Sequence, residues 1–357
     1  MINRLVLRSF RNYSAVDIAV GHPVNVFVGR NGQGKTNLLE AVYFAGMLRS
    51  FRTSRIADLR KIGENRFYVG AEIAAGARWN KFIEVEYGAG RKLKIDGSPV
   101  FKASEFIRQI KTVAFSPDDI GIVAGNSGLR RRFVDILISV EEPLYLSALN
   151  DYMMALKSRN AVLRSPNADL SVLKAFEPIL ARNGCIVAEK RMEYILKLTQ
   201  EVRNLLSGFS KADFEIRYKV QAGAENYEEY MERFEKERKK DIFKGMTGFG
   251  PQLDEFDLIF NSKLLRNFGS TGQCRLVSLC LKMAKINILS ENNNGKDKIV
   301  ALVDDVTGEL DLKTKELFFK IINKAEQTFF TFTELPDDKF FDSAKIFKVE
   351  NANVDCK

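Results

Sequence analysis

The stretch Gly29-Arg30-Asn31-Gly32-Gln33-Gly34-Lys35-Thr36 fits the pattern G-x-x-x-x-G-K-[ST] and decides the class of this chain. Residues 24–28 before it predict a buried strand, and residues 37–45 after it predict a helix. In that context backbone N–H groups converge on a polyphosphate, and the helix N-terminus favours its negative charge. The loop predicts nucleoside triphosphate binding, with Lys35 on the terminal phosphates and the Thr36 hydroxyl on Mg²⁺. An ordinary glycine-rich turn is the alternative.

The bulk composition is that of a soluble globular protein, with 357 residues of which 45% are hydrophobic and 28% charged. No apolar run approaches the roughly 20 residues of a membrane span, and the first residues lack a signal-peptide layout, so we expect a cytoplasmic location. Four scattered cysteines and the single histidine, His22, argue against a zinc site and a disulfide framework. The net charge of +9 favours a polyanionic partner, either nucleic acid or an acidic membrane surface.

A second acidic motif completes the expected nucleotide site. Residues 299–303 are apolar and precede Asp304-Asp305, which predicts a central parallel strand with two carboxylates at its C-terminal end. We assign Asp304 to Mg²⁺, through water, and Asp305 to orienting or deprotonating the attacking water. With Lys35 these are the candidate catalytic residues. A strand followed by an ordinary acidic turn is the alternative.

The distance along the chain between Lys35 and Asp304 predicts an insertion, because a compact P-loop fold needs only on the order of a hundred residues there. Residues 128–164 predict two helices, the second starting at Pro143, and a longer helical region follows with Pro178 and Gly184 as expected kinks or breaks. These helices suggest a protruding arm. We therefore divide the chain into an N-terminal head part, an inserted helical arm and a C-terminal head part, covering residues 1–115, 116–248 and 249–357.

Two further regions have clear local patterns. Residues 66–97 alternate as antiparallel strands do, and Asp96-Gly97 predicts a hairpin turn. Residues 228–240 predict a charged helix whose charges fit a solvated face better than a binding patch.

A second glycine-rich turn, residues 267–275, opens a predicted helix and supplies a second anion-binding N-terminus. One nucleotide needs only one phosphate loop in its own subunit. A second loop is useful if it docks onto the γ-phosphate held by a partner molecule, as in ABC-type ATPases. A simple helix cap at Ser270 or Thr271 is the alternative.

Along its whole length the chain resembles the RecF family, bacterial recombination mediator ATPases related to SMC-type heads. The first and last matching segments are weak alone, but the order of all of them is specific. They are residues 5–13, 29–37, 115–123, 130–135, 155–160, 250–251, 270–275 and 304–311.

The resemblance implies an α/β fold: an ABC-type P-loop ATPase head, with a mixed sheet and an antiparallel subdomain, and an inserted, mostly helical arm. It implies a homodimer that forms on ATP binding and binds double-stranded, gapped or junction DNA. It also implies weak, DNA-stimulated ATP hydrolysis that reopens the dimer, and loading of recombinase together with recombination mediator proteins. ATP and Mg²⁺ are the implied ligands.

The resemblance also implies the following roles for individual residues. Arg11, Asn12 and Asn37 join the loop residues 29–36 as nucleotide contacts. Residues acting in trans are Ser270, Gly272 and Gln273, and residues 309–311 form a dimer-interface loop. Residues 115–120 hold the loop that senses Mg²⁺, with Ser116 and Asp118 both left open as the sensing residue.

The chain departs from the family pattern in three places. Gly250-Pro251 is usually followed by His-Arg-Asp, whereas Gln252-Leu253-Asp254 follow here, and Cys274 stands where a second glutamine is usual. The closing strand, residues 328–333, offers threonines but no switch histidine. The altered pair at residues 252–253 puts a local nucleotide- or DNA-gated contact in doubt and does not touch the phosphate and metal positions.

Basic residues in the middle of the chain are the candidates for DNA phosphates, and a solvated helix face is the alternative for each. They are Arg130, Arg131, Arg132, Lys157 and Arg159. The competing function is a P-loop motor subunit that acts on a protein or membrane partner. The long arm and the missing switch histidine argue against it, so we expect no membrane partner.

Overall fold

A computed structural model describes residues 1–74, 79–209, 212–291, 299–306, 308 and 310–356. Its internal contacts divide the chain into two units: a head unit, Met1–Asp119 with Leu279–Lys357, and an inserted unit, Ile120–Ser278. The predicted domain boundaries after residues 115 and 248 stay a prediction. Within the described ranges, no helix combines the length and the apolar character that crossing a bilayer requires.

The head unit contains a mixed six-stranded sheet. Its strands, in order across the sheet, are β15 (Asn353–Cys356), β14 (Lys345–Glu350), β3 (Val24–Val28), β13 (Gln327–Phe332), β12 (Ile299–Asp304) and β8 (Lys111–Phe115). Neighbours run parallel except β14 and β15. The apolar run of β12 is buried on both faces, as a central parallel strand requires. The carboxyl ends of β3, β13, β12 and β8 therefore share one edge.

A second head sheet is wholly antiparallel. Its order is β2 (Tyr13–Ala19), β1 (Ile2–Phe10), β4 (Phe67–Ala74), β5 (Asn80–Tyr87), β6 (Arg91–Ile95) and β7 (Ser98–Val100). The predicted hairpin is confirmed, since Asp96 (φ 50°) and Gly97 (φ 77°) form the turn between β6 and β7. The buried amide of Gln327 joins this sheet to the first one: it accepts from Ile2 N at 2.7 Å and donates to Ile2 O at 3.0 Å.

The helices follow the two units. The head contains α1 (Lys35–Met47), α2 (Ala103–Phe106) and α10 (Leu312–Ile322), while α9 (Thr271–Glu291) begins in the inserted unit and ends in the head. The helices wholly within the inserted unit are α3 (Ile120–Ala124), α4 (Ser127–Glu141), α5 (Pro143–Leu163), α6 (Leu170–Ser207), α7 (Tyr227–Lys244) and α8 (Leu265–Phe268). A small antiparallel sheet joins them, with β10 (Glu255–Phe260) between β9 (Phe214–Lys219) and β11 (Lys263–Leu264).

The long helix α6 differs in part from the sequence-based expectation. Pro143 starts α5 as predicted, but α6 continues for 38 residues without a break at Pro178 or Gly184. Gly184 instead permits close packing, because a Cβ there would lie 3.1 Å from the ring of Tyr230. At about 1.5 Å per residue the helix is roughly 57 Å long.

Two buried arginines hold the inserted unit together. Arg159 is 0% exposed and donates to Asp241 Oδ2 at 2.8 Å, Thr247 Oγ1 at 2.8 Å and Glu177 Oε1 at 3.2 Å. This corrects its assignment as a DNA contact. Sequence spacing placed it on a helix, but its partners lie on α6, on α7 and just after α7, so its charge faces the interior. Arg191, the second, pairs with Asp135 and Asp254.

Candidate nucleotide-binding site

The phosphate loop (residues 29–36) leaves β3 and enters α1, as predicted. Gly32 (φ 78°) and Gly34 (φ 113°) adopt left-handed backbone that glycine favours. A Cβ on Gly29 would lie 2.2 Å from Val349 O, and one on Gly34 would lie 2.7 Å from the hydroxyl of Tyr13. These close approaches show why glycine is needed on both sides of the loop.

The tip of the loop faces solvent. Arg30, Asn31 and Gly32 are exposed, while the side chain of Gln33 accepts a hydrogen bond from Asn351 N at 2.6 Å. The nucleotide contacts predicted for these residues stay predictions.

Lys35 lies under the loop. It is 8% exposed, and its Nζ donates to Gly29 O at 2.7 Å and to Arg30 O at 2.9 Å. Burial lowers the pKa of this ammonium, while the carboxylates of Asp305 and Asp304 act in the opposite direction. The ammonium is thus held at the loop with its charge only partly compensated.

The hydroxyl of Thr36 and the carboxylate of Asp304, the two candidates for binding Mg²⁺, are joined by a hydrogen bond. Thr36 Oγ1 donates to Asp304 Oδ1 at 2.8 Å, and Thr331 Oγ1 donates to the same oxygen at 2.7 Å. Burial raises the pKa of Asp304, although both threonine hydrogen bonds favour its ionised form. Hard oxygen ligands from one carboxylate and one hydroxyl fit Mg²⁺, which keeps several waters and takes further oxygens from a substrate phosphate.

Asp305 differs from its neighbour. It is exposed and has a left-handed backbone, with φ of 52°. Its carboxylate nevertheless lies close enough to Lys35 to influence the pKa of that ammonium. A polar side chain in this exposed place can reach a water molecule, but its role as the base stays a prediction.

Arg11 and Asn12 lie against the loop and its helix. Arg11 forms a bidentate ion pair with the buried Glu40, in which Nε and Nη2 each donate to a carboxylate oxygen at 2.7 Å. Asn12 Nδ2 donates to Gln33 O at 3.2 Å, and its Oδ1 accepts from Asn37 at 2.8 Å. These bonds brace the loop from outside, and direct contact of these residues with a nucleotide stays a prediction.

Sequence reasoning missed the polar cluster around Glu40. Ser50 donates to its carboxylate, and Arg52 donates to Glu40 Oε2 at 3.4 Å and to Asn37 Oδ1 at 2.8 Å. The charge of Arg52 also favours the ionised form of Asp304. The available signal was one acidic residue inside the apolar run of α1, which a buried helix tolerates only with a cationic partner.

The loop after β8 lies beside the acidic strand. Phe115 is the parallel partner of Val303, so Ser116 and Asp304 follow at the same level of adjacent strands. Ser116 is buried and its N–H donates to Asp119 Oδ2 at 2.9 Å, whereas Asp118 is exposed. Asp119 in turn pairs with Lys282 Nζ at 2.7 Å, and Lys282 also donates to Ala114 O at 2.7 Å. Of the two residues left open by the sequence, Ser116 is the one at the sheet edge.

The signature segment (residues 270–275) forms a reciprocal helix cap. Ser270 N donates to Gln273 Oε1 at 2.9 Å, and Gln273 N donates to Ser270 Oγ at 3.2 Å. Ser270 and Gly272 are exposed, and the nearest atom to a Cβ on Gly272 would be Ser270 Oγ at 4.0 Å. Cys274 is buried against Leu265. The cap and an exposed helix N-terminus are compatible, so the predicted action in trans remains open.

The other basic candidates have different surroundings. Arg130 is buried and donates to Gly125 O at 2.8 Å, which corrects its assignment to DNA phosphates. Burial lowers its pKa. Arg131 is half-buried and donates to Asp254 O at 2.6 Å, Arg132 is half-buried, and Lys157 is exposed.

Gln252, which departs from the family pattern, and Asp311, which belongs to the predicted interface loop, both form local hydrogen bonds. Gln252 accepts from the hydroxyl of Tyr152 and donates to Phe249 O at 2.7 Å, so this amide is used inside the inserted unit. Of the predicted interface loop, Glu309 lies outside the described residues, and Asp311 caps α10 by accepting from Thr314 N at 3.0 Å.

Comparison with known proteins agrees with this geometry. The family model of the RecF/RecN/SMC N terminal domain matches residues 1–355. The DNA replication and repair protein RecF of Streptococcus gordonii (strain Challis) is 33% identical, over 99% of this chain and 99% of that protein. The chain belongs to the RecF family. The RecF of Clostridium botulinum (strain Eklund 17B / Type B) is 30% identical over 99% of both chains.

Solved structures of RecF have the same fold. The recombination mediator protein RecF-ATP in the RecFOR pathway matches with a TM-score of 0.90 and 30% identity, over 100% of this chain and 97% of that chain. The SmcHead bound to the C-winged helix domain of ScpA matches with a TM-score of 0.53 and 15% identity, over 100% of this chain and 96% of that chain, which supports the fold alone. The predicted ABC-type ATPase head is confirmed.

Proposed function

We propose that this RecF-family protein is an ATP-dependent DNA clamp of recombinational repair. It dimerises on binding ATP, binds DNA at gaps or junctions and helps to load recombinase. The observation that carries this proposal is the hydroxyl–carboxylate pair Thr36–Asp304 beside the Lys35 loop. Its support is the RecF-ATP structure, which this chain matches over its whole length.

The nucleotide-binding half of the site uses residues of one subunit. The Lys35 ammonium leaves its carbonyl partners for phosphate oxygens, which compensate its charge better than two carbonyls do. Thr36 and, through water, Asp304 would hold Mg²⁺, which would neutralise charge on the transferred phosphoryl group. Thr331 keeps the Asp304 carboxylate in a fixed orientation.

The second half comes from a partner molecule. The exposed N-terminus of α9, with Ser270 and Gly272, presents N–H groups to the γ-phosphate held by the other subunit. Asp305 orients or deprotonates the attacking water. Slow hydrolysis then removes the phosphate that joins the subunits, and the clamp reopens.

Mass measurement in solution tests this proposal. The wild-type protein should be a monomer without nucleotide and a dimer with Mg²⁺, ATP and gapped DNA. Lys35→Ala should abolish the nucleotide-driven dimer. Asp305→Asn should retain it while hydrolysis falls about 100-fold or more, so that dimers accumulate.

Two outcomes contradict the proposal. A mass that is the same in every nucleotide state excludes the action of Ser270 in trans. DNA binding that is absent with ATP, or that does not weaken as salt rises, excludes a phosphate-binding clamp.

A further inference from the structure

The ends of α5 and α7 lie side by side in the inserted unit. Arg159 of α5 pairs with Asp241 of α7 at 2.8 Å, and Asn160 Oδ1 accepts from Thr247 N at 2.8 Å. A Cβ on Gly245, which caps α7, would lie 3.7 Å from Cγ of Arg164, which caps α5. The buried arginine thus fixes two helix ends as one rigid support.

Cationic side chains and one aromatic ring project from this support. We call the set the end platform: Arg164, Lys239, Lys240, Phe243 and Lys244. Lys239 and Lys240 precede Phe243 by four and three residues, so all three share one face of α7. The Phe243 side chain is 92% exposed. An aromatic ring between flexible cations is a surface that water solvates poorly.

The charge of the end platform is largely uncompensated. Lys240 pairs with Glu237 at 2.8 Å. The side chains of Lys239, Lys244 and Arg164 form no hydrogen bond or ion pair with the residues that the structure describes. The carboxylate of Asp241 points inward to Arg159 and does not reach this face.

We propose that the end platform binds single-stranded DNA, with Phe243 stacking on a base and the surrounding cations holding phosphates. This inference rests on the proposed DNA-binding function and assigns it a second contact, for the unpaired strand of a gap. Duplex DNA keeps its bases stacked inside and gives the ring nothing to stack on, whereas single strands offer every base face. Exposed aromatic rings within cationic surfaces are the usual means of holding such strands.

Helix stabilisation and an acidic protein partner each account for less of this arrangement. Lysines in the last turns of a helix stabilise its negative end, which accounts for Lys239, Lys240 and Lys244 but not for an exposed ring. An acidic protein segment would pair with the cations, but it would not need the flat face of Phe243. Base stacking uses the ring and the cations together, and it can be measured separately from both.

A tryptophan reporter tests stacking directly. The chain has a single tryptophan, Trp79, so Trp79→Phe with Phe243→Trp leaves one indole on the end platform. Adding an oligothymidylate of about twenty nucleotides, which exceeds the site size of most single-strand binding folds, should quench its fluorescence saturably. A blunt duplex of equal length should quench it far less. Unchanged fluorescence at oligothymidylate concentrations that saturate DNA binding would overturn the inference.

Affinity measurements on the full chain give the second test. Phe243→Ala should weaken oligothymidylate binding about tenfold, from the usual contribution of one stacked base, and Phe243→Trp should preserve it. Phe101→Ala is the matched control, because Phe101 is also 92% exposed but lies in the head unit. Lys239→Gln with Lys244→Gln should lower the salt slope by about 1.4, for two lost phosphate contacts on a single strand.

The outcomes separate this inference from the proposed function. Equal losses in Phe243→Ala and Phe101→Ala, or no loss in either, would overturn the end platform as a DNA site. ATP-driven dimerisation and duplex binding should be unchanged in Phe243→Ala. If the wild-type protein fails to dimerise with ATP, the clamp proposal fails while the oligothymidylate comparison still decides this inference.

Discussion

The buried Arg191 of the inserted unit and the nucleotide site of the head, with Lys35 and Asp304, compensate their charges differently. In the inserted unit, Arg191 pairs with Asp135 at 2.9 Å and with Asp254 at 3.0 Å. Burial alone would lower the pKa of Arg191, but the carboxylate of Asp135, with further effects of Tyr145 and Tyr218, holds it well above its ordinary value. In the head, burial lowers the pKa of Lys35 and raises that of Asp304. The matched charges around Arg191 stabilise the inserted unit, whereas the charges of Lys35 and Asp304, which are held at a free-energy cost, fit a site that binds a charged ligand.

The largest expected effect comes from removing Arg159, whose buried charge is matched by Asp241 and Glu177. Arg159→Met leaves Asp241 without its buried cation and removes one of the two cations on Glu177, so the free energy of unfolding should fall by about 3–5 kcal/mol. Urea unfolding measures the change. Lys157→Met, an exposed position two residues earlier on the same helix, should change it by less than about 0.5 kcal/mol. A small loss in Arg159→Met would show that the inserted unit does not depend on this pair.

In the head, removing the buried Lys285 should have the opposite effect and stabilise the protein. Lys285 is 4% exposed, and burial, with a smaller effect of the Lys282 ammonium, lowers its pKa to about 7. In the unfolded chain the pKa of Lys285 is the ordinary 10.5, so the unfolded state binds the proton more tightly than the folded state does. Below about pH 7 the folded protein therefore carries the full free-energy cost of burying a charged ammonium. This cost disappears as the pH rises towards 10.5.

Lys285→Met should therefore stabilise the protein by up to about 4 kcal/mol below about pH 7, and by progressively less towards about pH 10. Urea unfolding at several pH values measures this, with the exposed Lys94→Met as control. Destabilisation by Lys285→Met at every pH would mean that a partner compensates the ammonium, and Lys285 would then resemble Arg191 rather than Lys35.

Sequence patterns predict the local motifs of the nucleotide site but not its contacts between distant strands. The phosphate loop and the acidic strand were predictable because each is a local pattern, and the structure brings Thr36 and Asp304 together. The bond from Thr331 to Asp304 was not predictable, because the partner strand is fixed only by the order of strands in the sheet.

Charged residues outside motifs were harder to interpret. Helical spacing alone does not show which face of α5 is buried, so it predicts Arg159 as a DNA contact although Glu177 and Asp241 surround this side chain. Lys157, on the same helix, is exposed. Which arginine is structural depends on acidic residues far along the chain, and only packing reveals them. The interpretation of residues 228–240 as a solvated charged face stays a prediction, and sequence alone does not show that the Phe243 ring just beyond them is exposed.

The cost of the Asp304 charge gives the next prediction. Because burial raises its pKa, the ionised form is disfavoured in the folded state, and this penalty applies at pH values above the folded pKa. Asp304→Asn keeps an oxygen for Thr36 and Thr331, so thermal stability without nucleotide should be unchanged or higher at neutral pH. The stabilisation by Mg²⁺ and ATP, about 3 kcal/mol at a hundredfold excess over Kd, should be lost.

Asp305→Asn is the matched control for this experiment. It removes an exposed charge, so both its stability and its Mg²⁺–ATP stabilisation should stay close to those of the wild type. Scanning fluorimetry with and without Mg²⁺ measures both variants. If Asp304→Asn retains the full Mg²⁺–ATP shift, Asp304 does not hold the metal.

The smallest expected effect concerns the loop beside the site. Lys282 is a positioning residue, because it holds Asp119, which in turn holds the N–H of Ser116 at the level of Asp304. Lys282→Met frees this loop without touching the phosphate loop, so kcat for ATP hydrolysis should fall about three- to tenfold while the Kd for ATP stays within about twofold. Lys282→Arg should restore much of the rate, since it can still pair with Asp119. Equal loss of binding and rate would indicate a general loss of structure, whereas an unchanged rate would show that hydrolysis does not depend on the position of Ser116.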